Sequence, residues 1–393
     1  MDFTWSEEQQ TAFEQARAFA HRDLNDNSGD DTVAPAWRPH LWERCARFGL
    51  LGLGVPARWG GVEWDVRSAI RILEGIGEGC RDNGLLLAVG AQLWSVTRPL
   101  LAFGSDAQKD AWLPRLCGGE AVAAFALTEA HGGSDALHLR TVAEPCGSGF
   151  RLQGGKAFIT NAPCADLFLL LARRRGAEGW FALTAFLVPR ATPGLSIGPP
   201  LHKMGLATSP MADLFLDAVE VGPEAVLGEV GGGASVLQHT LEWERGCLLA
   251  PALGTMTRLL QSSIDFTRQR QQFGRPIIEF EAVAHQVAEM SVRRDLSRLQ
   301  AYHFAWLKDH GRSSPAAASQ VKLVLSENLR WVAERAMHLH GALGYTRAFE
   351  FERCWRDAMA SSLYSGTTEI QKNLIAEGLY RQPATVGDQG ARP

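Results

Sequence analysis

Over the first hundred residues the apolar positions recur at three- and four-residue intervals. In Gln10–Leu24, Phe13, Ala16, Ala20 and Leu24 fall on one face, the period of an amphipathic helix. The same spacing predicts helices over Pro39–Phe48, Val66–Gly77 and Leu85–Phe103, and Trp112-Leu113-Pro114 with Gly118-Gly119 predicts a break. From Ala121 the texture changes to short β-type runs: Val122–Leu127, Gly149–Leu152, Leu167–Leu171, Phe181–Val188 and Ala212–Val219. Turn signals at Gly154-Gly155, Pro193-Gly194 and Pro199-Pro200 separate them. With no helical stretch between the runs, an antiparallel sheet or small barrel is expected, not a Rossmann unit. After Gly231-Gly232-Gly233 the helical period returns. One stripe is Val321, Val324, Leu325, Leu329, Val332, Ala336 and Leu339; another is Val283, Val287, Met290, Leu299, His303 and Trp306. The pattern therefore predicts an α+β chain, with a helical domain over 1–120, a middle β domain over 121–231 and a helical domain over 232–393.

Composition adds limits. The 393 residues are 46% hydrophobic and 21% charged, an ordinary globular balance with enough apolar material to enclose a large cofactor. A net charge of −4 with scattered basic residues gives no footprint for nucleic acid or an anionic membrane. Unbroken apolar runs such as Leu167–Ala172 are too short to cross a bilayer, and Met1–Glu8 lacks an apolar signal core. Seven cysteines with no C-x-x-C pair argue against zinc ribbons and a disulfide framework, and a reducing cytoplasm is expected. His338 and His340, two apart on a helical pattern, have poor geometry for a metal, and no metal site is predicted.

Three segments carry candidate chemistry. Ala126-Leu127-Thr128-Glu129-Ala130-His131-Gly132-Gly133-Ser134-Asp135 leaves a β run and enters a glycine-rich loop with hydroxyls at both ends. Close backbone approach and short donors suit a flat polar cofactor or a phosphate-bearing ligand, although a surface turn has the same composition. In Lys156-Ala157-Phe158-Ile159-Thr160-Asn161, an aromatic ring and a hydroxyl two residues apart share one strand face. In Leu363-Tyr364-Ser365-Gly366-Thr367-Thr368-Glu369, a loop feeds a helix whose N-terminus suits an anion, or is capped by a threonine.

Together with Lys203-Met204-Gly205, Arg268–Gly274, His340-Gly341-Ala342-Leu343-Gly344-Tyr345 and Arg356-Asp357, these segments resemble the acyl-CoA dehydrogenase family over nearly the whole chain. The resemblance implies an N-terminal helical domain, a middle antiparallel β domain and a C-terminal four-helix bundle. It also implies bound FAD and a homo-oligomer, a tetramer or else a dimer. By similarity, Phe125, Leu127 and Thr128 line the flavin ring, with Phe158 and Thr160 on its other side. Arg270 and Phe273 resemble residues that reach the FAD of a neighbouring subunit; His338, Gly341 and Ala342 occupy an adenosine-contacting stretch; Thr367 and Glu369 complete the diphosphate and adenine contacts. Ser134 is expected near the pantetheine arm of a thioester, and Tyr364 as a wall of the site.

The reaction this implies removes hydrogens from adjacent carbons of an acyl thioester. A carboxylate takes the weakly acidic α-proton while a hydride leaves the β-carbon for the flavin. Most of the family has a glutamate immediately before Gly-Thr; here that residue is Ser365, whose hydroxyl is too weak a base. A subset resembling isovaleryl-CoA dehydrogenase takes its base from the first helix of the C-terminal domain, directly before an arginine. Leu241-Glu242-Trp243-Glu244-Arg245-Gly246 matches that place, so Glu244 is the expected base, Glu242 the fallback, and Arg245 an ordering group. Ser365 retains a backbone N–H for the thioester carbonyl. The substrate is expected to be an acyl-CoA, or alternatively an acyl or aminoacyl group such as prolyl on a carrier protein. Electron-transfer flavoprotein or another acceptor, oxygen included, would reoxidise the flavin. The competing class is a non-catalytic FAD-binding relative, which loss of the usual glutamate would also produce.

Overall fold

The computed structural model describes residues 4–25 and 37–380. Six helices come first: α1 Glu7–Asp23, α2 Pro39–Arg47, α3 Val66–Gly79, α4 Asn83–Gln92, α5 Arg98–Phe103 and α6 Asp106–Cys117. Capping boxes start α1 and α6, where Ser6 pairs with Gln9 and Ser105 with Gln108, satisfying backbone donors that the first turn leaves free. The expected break at Pro114 is absent, because α6 runs through it to Cys117 and stops at Gly118-Gly119. One lost hydrogen bond late in the helix is offset by burial of Leu113, Leu116 and Cys117.

Helices α4 and α5 are joined by a π turn, Leu93–Thr97, into one helical stretch Asn83–Phe103. By length and composition this stretch could cross a membrane, although no long unbroken apolar run marks it in the sequence. It is 72% buried inside the protein and serves as a core helix.

Eight strands follow: β1 Ala123–Ala126, β2 Val142–Cys146, β3 Gly149–Thr160, β4 Leu167–Arg174, β5 Leu183–Pro189, β6 Leu195–Ile197, β7 Met211–Val221 and β8 Val226–Leu227. They form one sheet in the order β6-β7-β3-β2-β4-β5-β8, with β1 beside β4. Antiparallel pairing dominates, but β4 takes both β1 and β2 in parallel, so the sheet is mixed. Gly154-Gly155 is no turn. It lies inside β3 at a shift of register against β7, and a Cβ on Gly154 would stand 2.8 Å from Thr141 Cα, the close approach that glycine permits at a bulge. Both faces of β4 are covered: Leu167, Leu169 and Leu171 pack toward the helices, while Phe168, Leu170 and Ala172 fill the other side.

The last third holds α7 Gly233–Cys247, α8 Ala250–Gln269, a two-stranded hairpin of β9 Gln271–Gln272 and β10 Arg275–Pro276, α9 Glu281–Asp309, α10 Pro315–Leu339, the short α11 Ala342–Tyr345, α12 Phe351–Ala360 and α13 Thr368–Tyr380. In α10 the buried face follows the expected stripe. In α9 it does not. Met290, Ser297, Ala301, Phe304 and Ala305 are buried, while Leu299 is half exposed together with Val292 and Leu296. Small Ser297 and Ala301 allow α10 to approach, and Asn328 Nδ2 donates to Ser297 Oγ at 3.0 Å. One core cluster runs from Ala16 and Leu73 through Met256 and Phe304 to Val332; the first and last helices thus pack as a single body.

Candidate active site

Glu244 lies in the last turn of α7, three residues before its end. Upstream, Trp243 stacks on Trp94 of the π turn at 5.9 Å, which fixes how α7 meets that turn. Two residues back, Glu242 points elsewhere, as the helical advance of about 200° requires. It accepts from Lys308 Nζ at 2.9 Å, Ser313 Oγ at 2.8 Å and Ser314 N at 2.8 Å. Burial acts to raise its proton affinity, but these donors hold the carboxyl below the usual range. Glu242 is committed to an ion pair.

Glu244 has no such partner. Its Oε1 accepts from Ser365 Oγ at 2.7 Å, its Oε2 is buried with no hydrogen-bond partner, and Ser95 presents its hydroxyl to the same carboxylate. Burial pushes the carboxyl above the usual carboxylate range, against the pull of Ser365, Arg245, Ser95 and Lys322. The two positions from which a base can be supplied, 244 and 365, are therefore in direct contact.

Ser365 is held in a left-handed conformation, φ +58°, costly for a residue with a Cβ and kept by its surroundings. Its carbonyl accepts from Arg245 Nε and from Gln371 Nε2, each at 3.0 Å, and Gln371 Nε2 also reaches Gly366 O at 2.9 Å. Arg245 thus orders the loop. Next door, Tyr364 borders a cavity of about 50 Å³ lined by Leu86, Leu87, Leu248, Leu249 and Asp357. No motif in the sequence marks Ser95, Lys322 or Gln371. A π turn, a form common at functional sites, is what delivers Ser95, and it leaves no signature in composition.

The loop after β1 is built on a second buried carboxylate. Glu129 accepts from Lys156 Nζ at 2.7 Å, Arg140 N at 2.6 Å and Thr141 N at 3.0 Å, and Lys156 Nζ also donates to Leu127 O. Ala157 N donates to Thr128 O at 2.8 Å. Leu127, Thr128 and the Phe158–Thr160 segment are thereby drawn side by side. Phe158 stands at φ +59° in a bulge, 59% exposed, with Thr160 half buried and Ile159 buried between them. Phe125 is half buried in β1, and Ser134 is exposed farther along the loop.

The remaining predicted residues lie apart. Arg270 follows α8, Phe273 tops the hairpin with 93% exposure, and His338, Gly341 and Ala342 are exposed at the end of α10. Phe266 of α8 stacks on His340 at 4.4 Å, placing these two groups at one end of the bundle. That end is about 24 Å along α10 from Lys322, at 1.5 Å per residue. Thr367 Oγ1 accepts from Ile370 N at 3.4 Å, and Glu369 is exposed in the first turn of α13. Among the described residues no group of His, Cys, Asp and Glu is placed to hold a metal ion.

Two further motifs join the domains. Arg356 donates to Met204 O at 2.7 Å, Leu206 N donates to Asp357, and a Cβ on Gly205 would meet Arg356 C at 2.7 Å. Burial raises the Asp357 carboxyl to about 6.

Glu244 is thus a buried carboxylate with one unshared oxygen, in a helical–β–helical scaffold that also exposes Phe158 in a strand bulge. The models of the N-terminal, middle and C-terminal domains of acyl-CoA dehydrogenase match residues 6–120, 124–219 and 231–380. The chain belongs to the acyl-CoA dehydrogenase family, FAD-dependent oxidoreductases acting on CH–CH bonds. It is 32% identical over 379 residues to L-prolyl-[peptidyl-carrier protein] dehydrogenase of Serratia sp., covering 96% of this chain and 98% of that one. The solved prolyl acyl carrier protein oxidase AnaB is similar with TM-score 0.94 and 39% identity, covering 96% of this chain and all of the other. An FAD complex of PigA is similar with TM-score 0.94 and 32% identity, covering 97% and 99%.

Proposed function

We propose that the protein dehydrogenates an acyl thioester between its α- and β-carbons, with Glu244 as the α-proton base. The observation that carries this is Glu244 Oε2: buried, without a partner, on a carboxyl whose proton affinity burial has raised. As the α C–H bond breaks, the proton passes to Glu244, and charge builds on the thioester carbonyl oxygen. The backbone N–H of Ser365 is the proposed donor to that oxygen, with Arg245 and Gln371 keeping its loop in place. FAD, when bound, supplies the acceptor for the β-hydride. Phe125, Leu127, Thr128, Phe158 and Thr160 would hold its ring, and Thr367 and Glu369 its diphosphate and adenine. Arg270, Phe273, His338, Gly341 and Ala342 would serve the FAD of a neighbouring subunit. The separation of His338 from Lys322 along α10, and the 93% exposure of Phe273, support a homo-oligomer, proposed as a tetramer or else a dimer. Ser134 would meet the pantetheine arm.

The handle of the substrate is the second question. The Serratia relative and AnaB are both named for prolyl groups on carrier proteins, which favours a carrier-bound aminoacyl thioester over an acyl-CoA. The proposed acceptor is an electron-transfer flavoprotein, the proposed setting the cytoplasm, consistent with seven unpaired cysteines. Mixing the FAD-loaded protein anaerobically with prolyl-carrier protein, prolyl-CoA and short acyl-CoAs tests the reading. Bleaching by the carrier-bound prolyl group first supports it; bleaching by acyl-CoAs alone returns the substrate to coenzyme A. Silence with every thioester would favour a non-catalytic relative.

A further inference from the structure

Lys322 lies on the face of α10 that packs against α7 and α13. It is 1% exposed, and its Nζ has no hydrogen-bond partner, an unusual state for an ammonium that has been taken out of water. Its surroundings are those of the site above. The ring of Tyr364 is 5.9 Å from Nζ, and the charges acting on it are Arg245, Glu244 and Glu369. Glu369 approaches from α13, Arg245 and Glu244 from α7, and the Tyr364–Ser365 loop lies over it. Lys322 Nζ beside Tyr364 and Glu244 Oε2 beside Ser365 are thus two buried, unshared charge-bearing atoms next to one short loop.

We infer that Lys322 is a positioning residue for the proton-transfer step, the second cation, with Arg245, whose field keeps Glu244 ionised in a dry pocket. The inference rests on Glu244 being the base. Without a counter-charge a carboxylate this buried takes up a proton and cannot accept another. Arg245 supplies the larger pull and also anchors Ser365 O through its Nε; Lys322 adds a second positive charge to it. Ser95 and Ser365 add hydrogen bonds but no charge. Tyr364 adds none either, since burial raises its phenol further above its ordinary value. Burial, with Arg245, holds the Lys322 ammonium down to about 8, so it remains charged through the neutral range and fades above it. The site then has an alkaline limb as well as an acid one.

The test isolates proton transfer from hydride transfer. A (methylthio)acetyl thioester has acidic α-hydrogens and sulfur at the β-position, so it exchanges α-hydrogen for deuterium without being oxidised. Exchange is followed in deuterium oxide from pD 5 to 10, with the probe on coenzyme A and on a carrier protein. The proteins are FAD-loaded wild type, Lys322→Met, Lys322→Gln and Lys322→Arg. The expected result is that both neutral variants move the acid limb up by about one unit, a tenfold loss of exchange below it, and abolish the alkaline limb. Lys322→Arg keeps the acid limb in place and also removes the alkaline one, since guanidinium does not titrate there. Unmoved limbs in a folded neutral variant overturn the inference. Glu244→Gln separates the two claims: if it exchanges like wild type, the base assignment itself fails. If it is silent while the lysine variants keep the wild-type profile, only the role of Lys322 falls.

Discussion

Ser365 and Glu244 show what a single position can and cannot disclose. Serine where the family places its carboxylate reads as loss of function until the second position is found, and a 2.7 Å hydrogen bond brings the two residues together. The pairing was legible in the sequence because Glu244 precedes Arg245 in a recognisable segment. Ser95 and Lys322 were not legible, since one depends on a π turn and the other on the crossing of α10 with α7. The raised proton affinity of Glu244 has a sign that can be checked. Ionisation is disfavoured in the fold, so Glu244 lowers stability above the ordinary carboxylate range, and that cost disappears as pH falls through its folded pKa. Turnover behaves oppositely and falls over the same window. Glu244→Gln is therefore expected to melt no lower than wild type at pH 7.5 in calorimetry, with its FAD content unchanged. Ser365→Ala removes a hydrogen bond to the ionised form, about 1.4 kcal/mol or one unit, so its acid limb in a pH–rate profile should lie higher by that amount.

At the scale of elements, periodicity found α1 to α5 but not α6, and it failed on registers. The predicted stripe through Leu299 lies half exposed on α9, because apolar spacing does not tell which face a neighbour covers. Strands β2, β6 and β8 were missed, being two to five residues long, and the glycine pair in β3 was read as a turn when it is a bulge. In α7 the two glutamates diverge, Glu242 into an ion pair with Lys308 and Glu244 toward Ser365. Glu242→Ala strands Lys308 over the Trp243 ring, 4.6 Å away, and leaves the Ser313 and Ser314 donors unpaired. We expect a loss of about 3 kcal/mol in urea unfolding, with flavin reduction per folded molecule within about twofold of wild type. A large drop in that rate at full folding would assign Glu242 a part in the chemistry.

Across the whole molecule, order along the chain disclosed the helix–sheet–helix plan, but it could not show that the outer parts share a core. The crossing of α3 with α8 depends on two glycines: a Cβ on Gly77 would stand 1.9 Å from Pro251 O, and one on Gly254 2.0 Å from Glu74 O. Gly77→Ala and Gly254→Ala should each cost about 2–3 kcal/mol, and the double variant less than their sum, because one displacement relieves both. Additive losses in chemical denaturation would mean that the helices do not move apart together. This shared body carries α7 to the loop at Ser365, and transfer of the α-proton to Glu244 is the step proposed there. It is tested most directly by anaerobic stopped-flow absorbance of FAD-loaded wild type and Glu244→Gln mixed with a prolyl-carrier protein thioester. Rapid bleaching of the wild-type flavin is expected, with bleaching slowed by about 10²–10⁴-fold in the variant, at equal FAD content. Bleaching of Glu244→Gln at the wild-type rate would contradict it.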